Sequence, residues 1–111
     1  MSSLRTIACA AAVATLAAGA IGIAHAAEAA AAAVDIENFA FTAPTLTVAA
    51  GTTVKWTNHD DIPHTVLAVD GSFHSTAMDS SDTFAFTFTK PGVYSYFCSL
   101  HPKMVGKVVV K

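Results

Sequence analysis

Cys98, His101 and Met104 sit at even three-residue spacing in YFCSLHPKM, putting a thiol, an imidazole and a thioether in one short loop. Such donors favour soft or borderline ions such as copper and zinc over hard, oxygen-seeking cations. One Cys and two His in a trigonal set, with a weak axial Met, is the arrangement of copper sites that pass single electrons. The loop supplies three of those four groups, so a second imidazole must come from elsewhere. Outside the N-terminal leader the candidates are His59, His64 and His74. His64 is preferred. It follows Pro63, whose ring restricts the backbone, and it opens HTVLAV, where a strand end can hold it rigidly. His59 and His74 lie among polar residues and read as solvated surface. Taken alone, Cys98 would more often be a small buried apolar residue than a ligand. The matching Met spacing and the upstream Pro-His reverse that reading.

Residues 1–26 read as a secretory signal peptide. Arg5 stands near the start, an uncharged, Ala-rich stretch runs from Ile7 to Ala24, and Ala24-His25-Ala26 is a small-residue exit. An uncleaved anchor is the rival reading, since the stretch approaches membrane-spanning length, but its many Ala and two Gly make it weakly hydrophobic. Residues 27–33 are expected to be a flexible Ala-rich arm, and residues 34–111 one small domain. The leader carries Arg5 and Cys9 away. Five Lys then face eight Asp or Glu, which argues against nucleic acid, whose binding needs a basic footprint. Cys98 is left without an internal disulfide partner in an oxidising compartment, as a metal ligand or a partner-seeking thiol. The expected location is the periplasm, with no membrane attachment after cleavage, as a monomer.

The elements that must position these groups are strands. VDIENFAF alternates as a first strand. TLTVAAGTTVKWTN gives two strands broken near Gly51, and HTVLAV follows Pro63. GSFHSTAMDSSD reads as a polar loop, with Met78 at the surface or an edge. TFAFTFT puts Phe84, Phe86 and Phe88 on one face, so one side is buried and the other wetter. Lys90-Pro91-Gly92 is a turn, VYSYFC the next strand, and GKVVVK the last. No stretch after Val34 has helical periodicity. The pattern predicts an all-β, antiparallel Greek-key sandwich of about seven or eight strands, with Trp56 and the Phe stripe in its core.

VKWTNHDDIPHTV and YSYFCSLHPKMVGKVVV together resemble the cupredoxins, the small blue copper proteins, from about Val34 to Lys111. Within that family the short Cys-x-x-His-x-x-Met loop, the Pro after its His and the GKVVV strand are similar to the amicyanin type. The resemblance implies a cupredoxin-like sandwich with one copper ion at one end, ligated by His64, Cys98, His101 and Met104. It also implies that Asn58 ties the first His region to the Cys loop. One position departs from the pattern: amicyanins usually have Pro before the loop His, and this chain has Leu100.

A one-electron carrier is the reading these features favour. Four ligands leave no open position for substrate, so the chain is not expected to be an enzyme. The resemblance points to redox-protein partners, with an amine dehydrogenase as donor and a c-type cytochrome as acceptor. The alternative is a periplasmic copper carrier or buffer, which would favour a labile, Met-rich, partly open site. A structural zinc site is disfavoured because zinc prefers Cys, His and carboxylate to Met.

Overall fold

The computed structural model describes residues 30–111. The expected signal peptide, with Cys9, and the first part of the Ala-rich arm lie outside the described residues. Eight strands follow: β1 Ala31–Glu37, β2 Ala40–Phe41, β3 Thr45–Val48, β4 Thr52–Asn58, β5 Leu67–Ala68, β6 Thr83–Phe88, β7 Gly92–Phe97 and β8 Val105–Val110. They form two four-stranded sheets, in the orders β2-β1-β4-β6 and β3-β8-β7-β5. Non-consecutive strands lie side by side, as in a Greek-key sandwich.

The alternation read from the sequence sets the inner faces. Val34 and Ile36 of β1, Val54 and Trp56 of β4, and Phe88 of β6 are buried; from the other sheet come Tyr96 of β7 with Val108 and Val110 of β8. Trp56 is the hub. Its ring stacks on Phe73 at 5.7 Å and meets Tyr96 edge-on at 5.4 Å. Pairs of this kind contribute about 0.5–1.5 kcal/mol each beyond their burial.

Four expectations change. Two strand pairings, β1 with β4 and β3 with β8, are parallel, so the sandwich is mixed and not wholly antiparallel. β1 begins at Ala31, because Ala31–Ala33 pair with Thr53–Lys55; the tail of the Ala-rich arm is therefore strand. VDIENFAF is a hairpin, not one strand. Asn38 and Phe39 both take positive φ, 53° and 59°, as the tight two-residue turn between twisted strands requires. Finally, the loop after β5 is not simply polar. Phe73 and Met78 are both buried at 3% exposure, and Met78 pairs with His64 through two backbone hydrogen bonds of 3.1 and 2.8 Å.

Candidate metal centre

The spacing of the loop donors follows from its hydrogen bonds. His101 N–H donates to the Cys98 carbonyl at 3.2 Å, and Met104 N–H donates to the His101 carbonyl at 2.9 Å. Each bond closes an i to i+3 turn, so two turns in series repeat the same register at Cys98, His101 and Met104. Cys98 N–H donates to the Met104 carbonyl at 3.0 Å and seals the loop where β7 meets β8. Cys98 and Met104 are buried, Leu100 is 51% exposed, and His101 is intermediate.

His64 enters from the connection between β4 and β5. Asn58, at the end of β4, holds that connection. Its Oδ1 accepts from Asp60 N–H at 2.9 Å, and its Nδ2 donates to the Ile62 and Met78 carbonyls, each at 2.9 Å. Asn58 thus braces the His64 segment and does not reach the Cys loop. That tie belongs to Thr65. Thr65 N–H donates to Cys98 Sγ at 3.3 Å, and Thr65 Oγ1 accepts from Ser99 N–H at 2.7 Å and pairs with Ser99 Oγ at 2.8 Å. A Thr beside a His carries no signature of that role; only the contact across the sheets reveals it.

The fully buried His64 presents Nδ1 to Cys98 Sγ at 3.7 Å, and its Nε2 lies 2.8 Å from Asp60 Oδ2. An ionised carboxylate only accepts, so Nε2 carries the ring proton and Nδ1 keeps a free lone pair facing the sulfur. This arrangement fits a shared metal. Metal–nitrogen and metal–sulfur bonds of about 2.0 and 2.3 Å at tetrahedral to trigonal angles place the two donors about 3.5–3.7 Å apart. The His101 ring lies 5.1 Å from that of His64. Among the described residues no three His, Cys, Asp or Glu groups form a closed cage by themselves. The convergence is His64 with Cys98 and His64 with His101, and Met104 is the further soft donor in the loop.

Burial works to raise the Cys98 pKa, but Thr65 N–H, the adjoining His64 ring, Leu100 N–H and the Thr65 hydroxyl outweigh it and lower the pKa. The thiol is thereby biased toward the thiolate that binds metal. His59 and His74 do not join the cluster. His59 pairs with Asp35 at 2.9 Å on the surface, and His74 is exposed.

A two-sheet sandwich with a thiol, two imidazoles and a thioether at one end defines a class of small metal-binding β-proteins. A family model described as a cupredoxin-like domain matches residues 6–110, and the chain belongs to that family. Its relatives include amicyanin-alpha of Methylorubrum extorquens, 37% identical over 105 residues that cover 90% of this chain and 88% of that protein. Amicyanin of Paracoccus versutus is 39% identical over 83 residues, 70% of this chain; the match spans 63% of that protein's length. The fold is similar to that of a purple cupredoxin from Nitrosopumilus maritimus, at TM-score 0.68 and 35% identity, covering 72% of this chain and 99% of that one. It is also similar to a methionine-to-alanine mutant of amicyanin described as Cu(I), at TM-score 0.69 and 36% identity, covering 73% and 82%.

Proposed function

We propose that the protein is a type 1 blue copper electron carrier that binds one copper ion through His64, Cys98, His101 and Met104. The observation that carries this reading is the 3.7 Å approach of His64 Nδ1 to Cys98 Sγ, beside a second imidazole and a buried thioether. Copper held there supplies a one-electron Cu(II)/Cu(I) couple. The chain's own residues do the rest. The two loop turns and the Thr65 tie hold the donors in place, so little must rearrange when charge changes. Asp60 keeps the His64 proton on Nε2. Burial of Cys98, His64 and Met104 excludes water from the inner side.

Electrons pass at the exposed end. Leu100 and Phe39, 51% and 53% exposed, flank His101 with Pro102 and form a small apolar patch. A patch of this size suits brief docking with redox proteins. An amine dehydrogenase as donor and a c-type cytochrome as acceptor are the partners the amicyanin relatives suggest, with the periplasm as the location and a monomer as the working form.

Copper loading tests the reading. The loaded protein should show an intense blue band from the Cu(II)–thiolate bond, and Cys98→Ala should abolish it. A colourless copper-loaded protein, or a blue Cys98→Ala variant, would overturn the assignment.

A further inference from the structure

Asp60 gathers three donors on one carboxylate. Oδ1 accepts Asn38 N–H at 2.7 Å, and Oδ2 accepts Phe39 N–H at 3.0 Å and His64 Nε2–H at 2.8 Å. The first two come from the tip of the β1–β2 hairpin, and the third from a residue that the proposed function makes a copper ligand. The hairpin tip is strained. Asn tolerates a left-handed backbone, but a bulky residue such as Phe does so at a cost. That conformation persists only where its surroundings over-determine it. The carboxylate supplies that restraint by fixing both amides of the turn.

The strained turn places an aromatic ring over the site. Phe39 stands edge-on to His64 at 5.4 Å and 88°, and edge-on to His101 at 5.0 Å and 86°. It covers both imidazoles and remains half exposed. We infer that Asp60 is a positioning residue that fastens the His64 imidazole and the Phe39 turn to one carboxylate, so that Phe39 forms an aromatic cover over both ligand rings. This rests on the proposed copper site.

Only a carboxylate satisfies all three donors. A carboxamide keeps one accepting oxygen and turns an NH2 toward at least one donating N–H. The negative charge also strengthens His64 as a donor, which favours Cu(II) over Cu(I). The cover then restrains the two rings as the ion changes charge, and it presents an aromatic face to a partner.

Amide exchange in the metal-free protein and voltammetry of the copper-loaded protein test the inference together. In the parent, the Asn38 and Phe39 amides should exchange at least tenfold more slowly than unbonded amides in exposed turns. Asp60→Asn should remove that protection and raise the reduction potential. Phe39→Leu should shift the potential and the visible spectrum in the parent, and shift them less in the Asp60→Asn background. Fast exchange at both amides in the parent would overturn the clamp, and strictly additive effects of the two substitutions would overturn the coupling. A parent without a blue band would instead count against the copper reading, while the exchange data would still decide whether the clamp exists.

Discussion

At Cys98 the sulfur is held by donors of unequal strength. Thr65 N–H at 3.3 Å is the main one. Leu100 N–H also depresses the thiol's pKa, yet it does not meet hydrogen-bond geometry as Thr65 does, so it is the weaker donor. Proline at this position has no N–H to offer. Hydrogen bonding to a copper-bound thiolate withdraws electron density and favours Cu(I). Leu100→Pro should therefore lower the reduction potential. One full hydrogen bond is worth about 1 kcal/mol, which for a one-electron couple is about 40 mV, and the weak geometry sets that as an upper bound. Voltammetry of a variant that keeps its blue band measures the shift. An unchanged or raised potential would leave Leu100 as a member of the docking patch alone.

The elements around the site are held in register by one close approach between β7 and β8. Gly106 sits opposite Tyr96 in the antiparallel pairing. A Cβ at Gly106 would come within 2.5 Å of Tyr96 Cζ and Oη. The glycine of GKVVV therefore makes room for the Tyr96 ring, which packs edge-on against Phe41 at 4.7 Å and against Trp56. Gly106→Ala must push that ring out of place or part the strands. Such overpacking costs about 1–3 kcal/mol. Urea unfolding should show a lower midpoint with an unchanged slope. Tyr96→Phe should not restore it, because the ring carbon clashes as well as the hydroxyl. A Gly106→Ala protein as stable as the parent would mean that the sheet yields at no cost.

For the molecule as a whole, the centre of the core sets the response to alkali. Trp56 Nε1 and Tyr96 Oη are both buried, and among the described residues neither has a hydrogen-bond partner. Burial raises the Tyr96 pKa, and the neighbouring indole offsets this only in part. The folded state thus keeps a proton that the unfolded chain releases near pH 10. The stability this contributes is fully present below about pH 10, and is lost as pH climbs through the raised folded value. Unfolding free energies measured from about pH 8 to 12 should fall more steeply for the parent than for Tyr96→Phe. Parallel curves would show that Tyr96 ionises as freely in the fold as outside it.

The local features of this protein could be read from its sequence. The x-x spacing of Cys98, His101 and Met104 encodes two short turns, which depend on neighbours only three residues apart. Period-2 alternation marks the inward face of β6, since adjacent side chains on a strand must point to opposite sides. Pro63 and the strand after it single out His64 over His59 and His74, and the fold brings His64, not the other two, to Cys98. Tertiary structure decided whatever depends on which distant segments meet. Thr65, not Asn58, reaches the Cys98 loop; Met78 and Phe73 turn inward from a stretch that looks polar; Ala31–Ala33 become strand only because β4 offers them a parallel edge. Phe39 is the extreme case. Its left-handed backbone opposes its own preference, and it holds because a carboxylate 21 residues away in the chain accepts its N–H. Such choices come from packing two sheets against each other, a free energy summed over the whole core, and no short stretch of chain contains it.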